Sequence, residues 1–170
     1  MLATSSELSV EEYLATSYRP DADYVDGHII ERPMPQLPHS ICQRELILVL
    51  GNLKKALGIR VYPEQRVQVA PRRFRIPDIT VTNSPAPKHP THLVTPPFLC
   101  IEILSPEDNF TSMMDRVADY QSFGVEHIWL IDPERKSGWT WTRADGPVPA
   151  VDGLFEAGLI RISLADLDRD

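Results

Sequence analysis

Arg75-Ile76-Pro77-Asp78-Ile79-Thr80-Val81, a proline-rich loop, and then Phe98-Leu99-Cys100-Ile101-Glu102-Ile103-Leu104-Ser105-Pro106 form the stretch on which the reading of the chain turns. Both segments are runs of β-branched and aliphatic residues bounded by proline, the pattern of short buried strands. Each carries one carboxylate among apolar neighbours. A charge in that setting costs several kcal/mol unless it is paired, protonated or bound to a metal. Side chains alternate across a strand, so Cys100, Glu102 and Leu104 share one face, and Asp78 shares its face with Ile76 and Thr80. On neighbouring strands the two acids converge on one divalent cation, with the backbone carbonyl of Ile103 as a further oxygen. Such a sparse, hydrated oxygen shell suits Mg²⁺, with Mn²⁺ as a substitute. The same residues also allow a purely structural reading, in which Asp78 caps the turn after Pro77 and Glu102 pairs with an arginine.

Working outward, Ser9-Val10-Glu11-Glu12 has the spacing of a capping box and opens a short helix. Asp26-Gly27 joins Ala22–Val25 to His28–Glu31 as a hairpin. Ser40 is placed to cap a helix ending at Leu57, with Leu46, Leu50, Leu53 and Leu57 on one face and Gly58 as its stop. Strands are expected at 60–62 and 66–70. Pro71-Arg72-Arg73 turns into the strand carrying Asp78, and 83–97 is a surface loop holding His89 and His92. Beyond the Glu102 strand, Thr111 or Ser112 caps a helix with Met113, Val117 and Tyr120 on one stripe, ended by Gly124. His127–Ile131 is a further apolar strand, and the remainder is a β-rich tail with a short helix near Leu164–Leu167. The predicted fold is α/β: a mixed sheet flanked by helices, its Phe98–Ile131 unit a right-handed parallel crossover. Trp129, Trp139 and Trp141 read as packing residues, with base stacking as the alternative.

The 170 residues fit one domain, with a core over about 9–132 and an extension over 133–170. A net charge of −7 argues against a broadly basic nucleic-acid surface, while Arg72, Arg73 and Arg75 allow a local basic cleft beside Asp78. Cys42 and Cys100 sit in apolar context without metal-ligand spacing and read as reduced thiols of an intracellular, cytoplasmic protein. No run of about 18 apolar residues exists to span a membrane.

Pro77-Asp78, followed 24 positions later (102 − 78) by Glu102-x-Leu104-Ser105-Pro106, resembles the PD-(D/E)xK nuclease superfamily, and within it the Uma-type putative restriction endonucleases. The resemblance runs from about Ser9 to Asp132. It includes Tyr24-Val25-Asp26-Gly27, His39 at a helix start, Arg75-Ile76-Pro77-Asp78, Tyr120-x-x-x-Gly124-Val125, and Ile128-Trp129-Leu130-Ile131-Asp132-Pro133. It implies a restriction-endonuclease-like sheet and Mg²⁺-dependent hydrolysis of DNA phosphodiesters, with Asp78 and Glu102 as metal ligands and His39 as a site residue. Such enzymes often pair as homodimers. Leu104 occupies the usual lysine position, and the resemblance is to members that supply a lysine from the following helix instead. The spacing to Tyr120 puts Arg116 at that helical position, and Asp23 stands where the family has glutamate before the hairpin. A guanidinium can neutralise phosphate but cannot act as a base. Arg116 is therefore either part of the catalytic set or a structural partner of Glu102. Correspondingly, the chain is either a metal-dependent endonuclease or a catalytically weakened relative that binds DNA or protein. A homodimer with no site at all would leave the two buried acids without a purpose.

Overall fold

The computed structural model of the protein describes residues 7–83 and 91–167. In chain order the elements are α1 (Val10–Ala15), β1 (Asp23–Val25), β2 (His28–Ile30), α2 (Leu37–Leu57), β3 (Ile59–Pro63), β4 (Val67–Ala70), β5 (Arg73–Arg75), β6 (Ile79–Asn83) and β7 (Leu99–Ile103). They continue with α3 (Phe110–Phe123), β8 (His127–Asp132), β9 (Ser137–Thr142), β10 (Val148–Pro149), β11 (Leu154–Ala157) and β12 (Ile160–Ser163), with 3-10 turns at Val151–Gly153 and Leu164–Asp166. Six strands pair in the order β10-β9-β8-β7-β6-β3, four more in the order β2-β1-β5-β4, and β11 and β12 form a hairpin. Only β7 and β8, joined through α3, run parallel in the six-stranded sheet, which makes it mixed as expected.

Residue parity divides the large sheet between two cores. Ile79, Val81, Leu99, Ile101, Ile103, Trp129 and Ile131 face Leu46 and Leu50 of α2 and Phe155, Ile160 and Ile162 of the β11–β12 hairpin. Cys100, Ile128 and Leu130 face Met113, Val117 and Tyr120 of α3, with Val67 and Val69 of β4. The segment after Asp132 thus completes both sheet and core, with β9 hydrogen-bonded along β8. A third cluster stacks Tyr13 of α1 on Tyr24, beside Phe74 of the small sheet. Trp129 and Trp141 are buried, whereas Trp139 is 38% exposed. Both cysteines are buried and unbonded.

Several boundaries differ from the sequence expectation. Ser9 caps α1 through the expected box, and Asp26 and Gly27 make the hairpin turn with positive φ. However, α2 starts at Leu37, with Pro38 in its first turn, so Ser40 is not its cap and His39 lies inside the helix. Proline is accepted there because first-turn amides need no intrahelical partner. The cap of α3 is Asn109, whose side chain accepts from the amides of Thr111 and Ser112. The expected single strand through Asp78 is two strands. Arg73–Arg75 belongs to the small sheet and Ile79–Asn83 to the large one, so Ile76-Pro77-Asp78 is the joint between sheets. His92 is buried, and His89 lies outside the described residues.

Candidate active site at the joint between two sheets

The register of β6 on β7 pairs Ile79 with Ile101 and Thr80 with Cys100. One step further along, Asp78 faces Glu102, so the two acids stand at opposed positions just where the strands part. Both are almost fully buried. The Asp78 backbone is pinned, its carbonyl accepting from Gln43 Nε2 at 3.0 Å and the Glu64 amide at 3.1 Å. Its side chain is surrounded by donors. Oδ2 accepts from the Ile103 amide at 2.7 Å, while Oδ1 receives Arg32 Nη2 and lies 3.3 Å from His39 Nε2.

Glu102 is held by α3. Arg116 Nη1 lies 3.2 Å from each carboxylate oxygen, and the Tyr120 hydroxyl donates to Oε1. Arg116 Nη2 also reaches Asp23 Oδ2 at 3.1 Å. Asp23 in turn accepts from Arg75 Nη1 at 3.0 Å and from the Ile76 amide at 3.1 Å. The helical spacing of Arg116 and Tyr120, four residues apart, puts both on the α3 face that covers Cys100 and Glu102. The six sequence-selected residues therefore fall into two bonded sets, one around Asp78 with His39 and the Ile103 amide and one around Glu102 with Arg116 and Asp23, which meet at the Glu102–Ile103 backbone. Asp78, Glu102, Ile103, His39 and Arg116 border a single cavity of about 20 Å³, room for one or two water-sized particles. Asp23 stands behind it, linked through Arg116.

Electrostatics separates the two acids. Burial pushes the Asp78 carboxyl up, but the His39 hydrogen bond and the charges of Arg32 and His39 outweigh it and hold the group below the usual carboxylate range. Burial raises Glu102, Arg116 opposes without cancelling, and the nearby charge of Asp78 adds to the rise. Such a split between neighbouring carboxylates gives them different proton affinities and hence different chemical roles. Burial disfavours a charged His39, yet its bond to Asp78 and the Asp78 charge raise its pKa overall. Its Nδ1 is buried without a hydrogen-bond partner.

Three participants escape sequence reasoning. Arg32, in the connector between β2 and α2, reaches Asp78 across 46 residues. Tyr120 reads as a packing residue yet bonds Glu102. Asp108, in the loop before α3, lines the cavity and accepts from the Ser105 amide at 2.6 Å; burial raises its pKa. The only sequence signals are a lone arginine after a hairpin and an acid beside the Glu102 strand. The arginine cluster expected beside Asp78 is engaged elsewhere. Arg72 pairs with Glu7, Arg73 with Asp26 and Asp119, and Arg75 with Asp23 and Asp119.

Two opposed carboxylates supply the hard oxygen donors a divalent cation takes, with Asp108 as a further carboxylate on the same cavity. Among the described residues no group of three or more His, Cys, Asp or Glu could hold a metal ion. An ion here would keep a largely aqueous shell, the coordination Mg²⁺ accepts when it is bound through one or two carboxylates and substrate phosphates. The donor set fits such an ion. No helix among the described residues is long and apolar enough to cross a membrane.

A sequence model of the Uma2 family, described as putative restriction endonuclease, matches residues 10–158. The fold is similar to the crystal structure of a putative nuclease belonging to DUF820 from Anabaena variabilis ATCC 29413. The two share 26% sequence identity and a TM-score of 0.81, over 94% of this chain and 97% of that one. No curated protein matches the chain.

Proposed function

This chain belongs to the Uma2 family of putative restriction endonucleases, and we propose that it hydrolyses DNA phosphodiester bonds with a divalent cation, Mg²⁺ or Mn²⁺, held by Asp78 and Glu102. The observation that carries the reading is the opposition of these two buried acids across the β6–β7 pair at the edge of one cavity. A bound divalent ion supplies charge neutralisation at a phosphate and a water molecule activated for attack.

The protein groups position and balance that chemistry. Asp78 is held ionised by its donors and presents a fixed carboxylate. The Ile103 amide sets its orientation, and His39 reinforces it from α2. Glu102 is oriented by Tyr120 and Arg116. Arg116 stays protonated, so it stabilises negative charge and does not accept a proton. Asp23 fixes Arg116 from behind.

A second reading is a catalytically weakened relative that binds DNA or protein. It is favoured by Arg116, which stands where the family resemblance implies a lysine and engages both oxygens of Glu102. Mn²⁺ calorimetry and supercoiled-plasmid nicking separate the two, run on the wild type beside Asp78→Asn and Glu102→Gln. The nuclease reading expects metal binding and nicking in the wild type and loss of both in each variant. Metal binding without nicking supports the weakened relative, and the absence of any binding overturns the metal site.

A further inference from the structure

Two cations serve the carboxylate pair, and they are held very differently. Arg116 is anchored on two acids, Glu102 and Asp23, with its side chain 4% exposed. Arg32 has Asp78 as its acidic partner, through one terminal nitrogen, and its side chain is 13% exposed. Its backbone belongs to the irregular segment between β2 and α2. Arg32 also lines a second space, an outer cleft of about 380 Å³ that shares Pro33, His39 and Asp78 with the inner cavity. Exposed Arg19 stands on the same cleft, and Asp21 there is already paired with Arg66. Glu64 is the remaining acid of the lining.

Charge balance sets the two arginines apart. Asp78, Glu102 and Asp23 against Arg32, Arg116 and Arg75 make a neutral set. A divalent ion entering between the acids would leave two uncompensated positive charges in a buried site, which low-dielectric surroundings penalise. Both Asp78 oxygens already have donors, Oδ1 from Arg32 and Oδ2 from the Ile103 amide, and of these two only the arginine side chain is free to turn away. Arg116 cannot leave without stranding Glu102, whose remaining donor is the Tyr120 hydroxyl. Arg32 can leave, because open space adjoins it.

We infer that Arg32 is a displaceable internal cation: it neutralises Asp78 in the metal-free protein, and when a divalent ion takes that carboxylate it turns into the outer cleft to bind a substrate phosphate. The inference rests on the metal-dependent reading above. It makes metal and phosphate binding cooperative, since the phosphate restores the charge balance that the ion upsets. A planar guanidinium suits both occupants, because carboxylate and phosphate each accept its paired N–H groups.

The test is Mn²⁺ titration by calorimetry on wild type, Arg32→Gln and Asp78→Asn, with inorganic phosphate then titrated into the Mn²⁺-loaded proteins. Removing the competitor should tighten Mn²⁺ binding by about tenfold or more, and removing the phosphate ligand should weaken phosphate binding by a comparable factor. A folded Arg32→Gln with unchanged or weaker Mn²⁺ affinity overturns the inference while leaving the metal site standing, provided that Asp78→Asn has lost the ion. If neither wild type nor Arg32→Gln binds Mn²⁺, the metal reading itself fails and this inference with it. Should Arg32→Gln not fold, phenylglyoxal labelling of the wild type gives the answer by peptide mass spectrometry. Arg32 should be slow to react without metal and several-fold faster with Mn²⁺, and no increase refutes its displacement.

Discussion

Replacing Arg116 by methionine isolates the cation on which the buried acids depend. Methionine keeps much of the stem volume and removes the charge. Asp23 would retain Arg75 and the Ile76 amide, whereas Glu102 would retain only the Tyr120 hydroxyl as a donor. The loss therefore falls chiefly on Glu102. At an effective dielectric of about 20, unit charges at the 3.2 Å separation of Arg116 and Glu102 attract by about 5 kcal/mol. Removing one partner of a buried pair costs about 3–5 kcal/mol by experience with other proteins. At about 2–4 °C per kcal/mol for a chain of this size, the melting temperature should fall by roughly 6–20 °C. The penalty is also pH-dependent. Glu102 already has a raised pKa, and without Arg116 it rises further. A raised folded-state pKa contributes stability at low pH that is lost as pH climbs through it, so the deficit of Arg116→Met should widen as pH rises above the ordinary carboxylate range. Circular-dichroism melts at rising pH provide the assay, with Arg116→Met/Glu102→Gln as the control that removes the stranded charge and recovers much of the loss. A deficit below about 1 kcal/mol, or one independent of pH, would refute the account of Arg116 as the counter-charge of a buried, ionisable Glu102.

The packing around this site gives two further expected outcomes. Burial, with the nearby charge of Asp78, pushes the Cys42 thiol up to about 12, and burial likewise raises Cys100 well above the ordinary value. Native protein should therefore resist Ellman's reagent at mildly alkaline pH and react at both cysteines once denatured; rapid native labelling would contradict their burial. Gly138, on β9 opposite Ile131, has no room for a side chain, because an added Cβ would lie 2.1 Å from the Leu130 carbonyl oxygen and 2.8 Å from the Phe155 ring. Gly138→Ala should cost about 1–3 kcal/mol or more, read from the urea midpoint, and a neutral substitution would show that the β8–β9 pair is looser than these contacts require.

The amino-acid sequence by itself determined the periodic features. Apolar runs marked the strands carrying the core on both sides of the sheet, and Leu46 and Leu50 marked the buried stripe of α2. Asp26-Gly27 marked a hairpin turn, and Gly124 marked the end of α3, where its left-handed backbone suits glycine. The two acids stood out for the same local reason: a carboxylate within an apolar run has to be compensated. Helix starts were less legible because neighbouring residues offered equivalent caps. Thr111 and Ser112 read as caps, yet both lie inside α3 and donate their amides to the side chain of Asn109.

Only the tertiary structure decided which groups compensate the acids. The partners of Asp78 come from β7, from the connector before α2 and from α2 itself. Those of Glu102 come from successive turns of α3. Arg72, Arg73 and Arg75 are closest to Asp78 in sequence, yet they are turned toward Glu7, Asp26, Asp119 and Asp23 because β5 belongs to the other sheet. Arg32 is remote in sequence and takes the place they were expected to fill. Hydrophobic burial obeys a local period that a reader can count, whereas an ion pair needs only opposite charges brought together, and which ones meet is fixed by how the sheets and helices close around them.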